Sequence, residues 1–495
     1  MRIAAVLLCT LLVVSVCGAA RGQEKPAAPA DVGSSAPAPA AEKPAAEAPE
    51  KPAGPSAAEL QKKLDEATSK LDAAASKLDQ ATRRIGELET KVDSLNAQVT
   101  GSKQEVGSLS TQMKALEAKA KVAEEKKPAG LQFKPYGYIK LDIVRDSKRT
   151  SGTDATGFVL QQKSGFENDG AFSMTLRQTR LGLDIIGPNM GEATQMGKVE
   201  IDFYAPATVE NKAQPMLRQA YYLLSYPTWN VLAGQTWEVV SPLYPFTVNY
   251  LYLALSGNPG YRKPMLRYER VDKVWGDKIL QTDVAMVRGV GGEQLVSTAS
   301  LDDEATHAGW PVFEARAGIS CPTKFKNRPV TVGLSGHIGQ EEFDPMSGGK
   351  QIAGDGMEFM TYMGNLDWTV PVAAKLEVKG EFFIGRNLDA YMGGIGQGVN
   401  LTTGVPIDDV GGWTQLCYRP NPKWLLSVGG GIDNPDDEDL SAGSRSFNET
   451  FFTNGVYNLN ERTQLGLELS WMNTNYTAGP DGENFRVQAM VQYNI

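Results

Sequence analysis

The chain is poor in the residues that carry chemistry. Its 495 residues include 2 histidines and 4 cysteines, and no apolar run beyond the N-terminus approaches the roughly 18 residues of a membrane-spanning helix. His307 and His337 have no second ligand at metal-binding spacing. The acidic run from Asp433 to Asp439 lacks the spacing of a calcium-binding loop and reads as a solvated loop tip. There is no G-x-S-x-G, P-loop or C-x-x-C. Ser335 and His337, one strand repeat apart, read as polar wall residues rather than a catalytic pair. No catalytic activity, metal or cofactor is expected. Cys9 and Cys17 lie in an N-terminal apolar segment, so Cys321 and Cys417 remain. They are too isolated for a metal site, and a disulfide between them stays open. Acidic residues (58) outnumber basic ones (49), which argues against nucleic acid as a partner.

What is present falls into four segments. Residues 1–22 combine Arg2, the apolar run Ala4 to Val16 and small residues at Gly18, Ala19, Ala20 and Gly22, the pattern of a secretory signal. Acylation at Cys17 is the alternative there, disfavoured by the bulk of Val16. Residues 23–57 are mostly Ala, Pro, Glu, Lys and Ser, too weakly apolar to offset the entropy of ordering, and read as an extended linker. Residues 58–127 carry an unbroken heptad seam, with Ile85, Val92, Val99 and Val106 at a and Leu88, Leu95 and Leu109 at d. Such a seam predicts an α-helical coiled coil, and this a/d choice by itself favours two strands. At about 1.5 Å per residue the rod is about 90 Å long, ended by Pro128 and Gly130.

Residues 131–495 change texture to short alternating runs divided by Gly, Pro, Asn and Asp. Leu376, Val378, Phe382 and Ile384 oppose Lys375, Glu377, Lys379 and Glu381, for example, so that one face is apolar and the other wet. Sixteen such segments run from 133–144 to 484–495. The last, Phe485 to Ile495, has the roughly 9–11 residues needed to cross a bilayer at a tilt. The links alternate long and short. The expected fold is therefore all-β, a 16-stranded antiparallel transmembrane β-barrel, with short periplasmic turns and long outer loops. An even strand count puts both barrel ends, and the coiled coil, in the periplasm of an outer membrane rich in lipopolysaccharide.

The fragments G-Y-I-K-L-D (Gly137 to Asp142), R-Q-T-R-L-G (Arg177 to Gly182), G-K-V-E-I-D-F (Gly197 to Phe203), L-R-Q-A-Y (Leu217 to Tyr221) and A-G-Q-T-W (Ala233 to Trp237) resemble, in this order, the first half of DcaP-like porins. The resemblance implies a homotrimeric outer-membrane porin, and with it a three-stranded coiled coil against the local preference for two. It also implies passive diffusion of small hydrophilic solutes, carboxylic acids among them. The alternative is an envelope anchor whose coiled coil and Ala/Pro arm tether the outer membrane to peptidoglycan. A trimeric adhesin is disfavoured, because residues 131–495 suffice to close a barrel alone.

The segment between the fifth and sixth strands, Glu238 to Arg262, is too apolar and aromatic for an exposed loop. It is expected to lie against the inner wall, with Tyr244, Tyr250, Tyr252 and Tyr261 near a constriction closed by Arg262 and Lys263. Strand phase turns Arg180 and Arg267 inward. Arg218 is assigned inward as well, on a strand that alternates less cleanly. Three arginines there make a positive field suited to bidentate capture of carboxylates. Lys198, Glu200, Asp202, Glu269, Glu314, Arg316, Glu377 and Glu381 also face inward, so mixed lumen charge is the competing expectation.

Overall fold

The computed structural model describes residues 130–495 except 163–164, 166–168, 206–211, 290–300, 304–308, 326, 348–349, 352–356 and 401. Residues 23–129 form a separate unit. In that unit only Asp65, Glu66, Arg84, Gly86 and Lys91 are described, and each is helical. The rest of the expected coiled coil, the linker and the signal lie outside the described residues, as does His307.

The barrel has sixteen strands. They are β1 (Gln132–Asp146), β2 in two pieces (Ala171–Thr175 and Arg180–Ile186), β3 (Thr194–Ala205), β4 (Gln214–Ser225), β5 (Trp229–Trp237) and β6 (Arg262–Val274). There follow β7 (Lys278–Val287), β8 (Val312–Cys321), β9 (Val330–Ser347), β10 (Met357–Ala373) and β11 (Leu376–Arg386). The last five are β12 (Asp408–Tyr418), β13 (Trp424–Pro435), β14 (Arg445–Asn458), β15 (Thr463–Tyr476) and β16 (Gly482–Asn494). Each pairs antiparallel with its sequence neighbours, and β1 pairs with β16 from Tyr138↔Asn494 to Asp146↔Arg486, which closes the sheet. Closure satisfies every edge, as a lipid environment demands.

Burial is inverted relative to a water-soluble protein, and the alternation is the cause. At the closing strand Phe485, Val491, Tyr493 and Ile495 are 45–52% exposed, whereas Arg486 and Gln488 are at most 1% exposed. Leu334, Ile384, Val428 and Leu467 continue the outward apolar belt. The seven short links define a turn end. The other eight form a loop end, and they are numbered here loop 1 (147–170) to loop 8 (477–481), with loop 3 at 238–261 and loop 6 at 387–407.

The apolar core lies inside the barrel. Val239 and Val240 of loop 3 and Leu388, Ala390 and Tyr391 of loop 6 pack with wall residues Leu232, Met265, Val312, Met363 and Phe383. A second cluster joins Leu253 to Trp413 and Phe452. Burying such side chains is worth roughly 1.5–3 kcal/mol each, which is what holds the loops out of water.

Three local expectations change. The second strand is not continuous from 174 to 187: it leaves the ladder at Leu176, where Thr179 N donates to Leu176 O at 2.9 Å. The Thr179 hydroxyl replaces the missing ladder acceptor, receiving Lys140 N at 3.2 Å. Asp433 is no loop-tip residue: it sits on β13 and is 0% exposed, and only residues 436–439 behave as a surface turn. Cys321 and Cys417 are both free thiols, so the open disulfide is absent.

Candidate functional site

Loop 3 does not hang at the rim but runs around the inner wall, held by wall side chains at nearly every step. Val239 N donates to Glu314 of β8 at 2.8 Å. Val240 O accepts from Ser335 of β9 at 2.5 Å and from Asn365 of β10 at 2.8 Å. Glu381 of β11 receives Ser241 Oγ at 2.6 Å and Leu243 N at 2.9 Å. Gln415 of β12 receives Phe246 N at 2.9 Å, and Glu468 of β15 receives Val248 N at 2.6 Å. Val248 O then accepts from Lys140 of β1 at 3.1 Å and Gln488 of β16 at 3.2 Å. A backbone segment buried away from water must find such partners.

Glu314 and Glu381, expected as free lumen charges, are therefore clips for the loop backbone, and Glu468 joins them. Ser335 is likewise a clip, and His337 bonds Thr361 Oγ1 through Nε2 at 2.9 Å while stacking on Tyr391 at 3.9 Å. The tip of the loop rests directly on the wall. A Cβ at Gly257 (φ +101°) would lie 2.2 Å from Gly412 O, and one at Gly431 would lie 2.1 Å from Ser256 O. Only glycine permits that approach.

The stretch of wall from β2 to β6 is basic. Arg218 is 1% exposed. It donates to Glu200 Oε1 at 2.8 Å, Asp202 Oδ2 at 2.5 Å and Tyr250 Oη at 3.0 Å. Its orientation has a specific cause. Gln219 pairs with Glu200 and Leu217 with Ile201, leaving Arg218 as the extra residue of a β-bulge, which breaks the alternation and aims the side chain inward. Arg180 shares Glu200 at 3.7 Å. Arg267 is separate, paired with Glu269 at 2.7 Å, so the three arginines do not form one cluster. Lys263 lies 3.6 Å from Glu238 and 4.1 Å over the Tyr391 ring. Arg262 is 5% exposed, lies 4.8 Å over Trp237 and 4.6 Å over Tyr261, and has no carboxylate partner among the described residues.

Tyr244, Tyr250 and Tyr252 converge on this wall, and Trp237, not among the expected constriction residues, ends their chain of rings. Ring contacts run Tyr204–Tyr250 (3.7 Å), Tyr250–Tyr252 (6.3 Å), Tyr252–Tyr244 (5.6 Å) and Tyr244–Trp237 (5.9 Å). Arg218 lies 6.0 Å from the same Trp237 ring. Burial pushes the Tyr250 phenol up, against the opposing pull of Arg218, so it stays a neutral donor to Asp202 at 2.8 Å. Tyr261 stands apart from this chain of rings, beside Arg262 and Met216. Trp237 closes the fragment A-G-Q-T-W, and its place at the strand-to-loop junction was the available signal.

The other expected lumen charges are also paired. Arg316 meets Asp367 at 2.8 Å, Glu377 meets Arg328 at 3.0 Å, and Lys198 meets Asp184 at 2.7 Å. Among the described residues no group of three or more His, Cys, Asp or Glu is arranged to hold a metal.

A closed sixteen-stranded barrel, apolar outside and charged inside, with its third outer loop laid across the lumen, is the architecture of outer-membrane porins. No protein-family model matches the sequence, and neither does any curated protein. Among solved structures the chain matches the outer membrane channel DcaP of Acinetobacter baumannii at 20% identity, over 75% of this chain and 99% of that one, with a TM-score of 0.58. The resemblance carried by the five sequence fragments thus holds at the level of the fold. The anion-selective porin from Comamonas acidovorans matches at 12% identity over 74% and 100% of the chains, TM-score 0.46. OmpF of Salmonella typhi, in complex with daunomycin, matches at 11% over 74% and 98%, TM-score 0.47.

Proposed function

We propose that the protein is a passive outer-membrane porin for small hydrophilic solutes, with a preference for anions and carboxylates among them. One observation carries the preference. On the β2 to β6 wall five buried nitrogens, Arg180 Nε and Nη2, Arg262 Nε, Lys263 Nζ and Arg267 Nε, have no hydrogen-bond acceptor. Buried donors without acceptors call for water or a ligand that supplies them. The carboxylates that would counter them face-on are already engaged, Glu314, Glu381 and Glu468 by the loop and Glu200 and Asp202 by Arg218. An anion beside these nitrogens therefore meets donors, while Glu314, Glu381 and Glu468 are occupied by the loop.

The test is reconstitution in planar bilayers with a KCl gradient. Stepwise conductance with a reversal potential on the chloride side is expected, and Arg180→Ala with Arg262→Ala should move it toward potassium. Cation selectivity in the unmodified protein would overturn the preference, and absence of conductance would overturn the pore.

The proposal extends to assembly. Three barrels associate, the turn end faces the periplasm, and residues 58–127 form a three-stranded coiled coil there. The heptad seam and the Ala/Pro arm favour a second role as a tether to peptidoglycan, which pull-down of the protein on purified cell-wall sacculi tests. Loss of retention on deleting residues 23–127 is the expected result.

A further inference from the structure

Resting on the porin reading, we infer a second anion station at the turn end, built on Arg419 and set against the wall opposite the basic one. Arg419 follows β12 directly, on the inward phase of Trp413, Gln415 and Cys417, and is exposed. Its guanidinium lies 5.4 Å over the Phe246 ring and has no ion-pair or hydrogen-bond partner among the described residues. The carboxylate in register with Cys417 is Glu377, and Arg328 holds it at 3.0 Å. On the same ring of loop 3 sits Lys379, its ammonium 3.6 Å from the Phe246 centroid and bonded to Tyr244 O at 2.7 Å. Lys379 has no carboxylate within ion-pair distance among the described residues either, so two cations without a carboxylate partner share one aromatic ring.

A cavity of about 450 Å³ opens beside Arg419, lined by Pro422, Leu425, Val456, Asn458 and Gln464. The amides of that lining are committed. Gln464 donates to Asn458 Oδ1 at 3.0 Å and Asn458 donates to Pro422 O at 3.0 Å. The Arg419 fork, which matches a carboxylate bidentately, takes the polar head of a ligand, with the Lys375 ammonium of the same lining, bonded to Pro420 O at 2.5 Å, beside it. The aliphatic lining takes a short apolar body. The ligand class is a small organic acid with an aliphatic tail, received after it passes the constriction. Because Arg180, Arg218 and Arg267 are paired with carboxylates and Arg419 is not, the second station adds discrimination between organic anions and chloride rather than a bare field.

Bi-ionic reversal potentials with sodium hexanoate against sodium chloride, on the full chain in planar bilayers at low salt, test it. Arg419→Gln is expected to lower the hexanoate-to-chloride permeability ratio roughly two- to five-fold, the scale of one exposed charge pair, while Arg419→Lys retains most of it. Heat-dependent gel migration verifies that each variant folds. An unchanged ratio in a conducting Arg419→Gln protein, or an equal fall for chloride and hexanoate, would overturn the station. Absence of conductance in every protein would instead overturn the porin reading.

Discussion

Arg218 shows how much of the lumen is governed by single residues. Its guanidinium satisfies Glu200, Asp202 and Tyr250 at once, with Asp202 fully buried. Removing one partner of a buried pair leaves the other charge stranded, at a cost of roughly 3–5 kcal/mol. Arg218→Gln should lower the unfolding free energy extrapolated from urea titration in detergent by that order, with a lower midpoint, and shift selectivity toward cations. Adding Glu200→Gln and Asp202→Asn should restore much of the stability, and equal midpoints for the single and triple variants would contradict this account. Strand phase turned Arg180 and Arg267 inward. The place of Arg218 depended on a bulge that no pattern of apolar residues marks, because the extra residue is visible only once the partner strand is known. The same limit applies to Glu314, Glu381 and Glu468. Strand phase turned Glu314 and Glu381 inward correctly, but their engagement by loop backbone needs the path of the loop.

At the scale of elements, loop 3 is the working part and its seat is made of glycine and glutamate. The apolar composition of Glu238 to Arg262 was legible as a segment that must pack. Not legible was the purpose of Gly257 and Gly431. Gly431 leaves space for Ser256 O, and Gly257 lacks the side chain that would strike Gly412 O. Gly431→Val should therefore unseat the tip without breaking the wall, raising single-channel conductance and its noise. Glu381→Ala, which strips acceptors from Ser241, Leu243 and Trp413 Nε1, should do the same at the root of the loop. Unchanged conductance in both would mean that the loop keeps its place by apolar packing alone. Loop 6 was expected to be an outer loop, and only its long span was foreseeable. In the structure it turns inward, with Leu255 N bonded to Met392 O at 3.1 Å and Gly260 N to Tyr391 O at 2.6 Å.

The whole barrel follows from alternation, which is why strand number and closure could be read from the chain. Period-two patterning with both faces constrained fixes register strongly. The protein should run faster on a denaturing gel unboiled than boiled, and identical migration would rule out a closed barrel. Cross-linking of the intact protein in membranes should stop at three subunits, a dimer being the contrary result. The path of loop 3 has one further consequence, for the order of assembly. Val248 completes its hydrogen bonds on Gln488 of β16, and Arg486 of that same strand holds Asp146 at the end of β1 at 2.8 Å and Thr153 O of loop 1 at 2.8 Å. The strand that closes the sheet is thus the one on which residues translated far earlier must wait. Contacts so distant along the chain form late. The molecule acquires its filter only in the act of becoming watertight, so a stalled or truncated product is an unfiltered, open-sided sheet, never a narrowed pore.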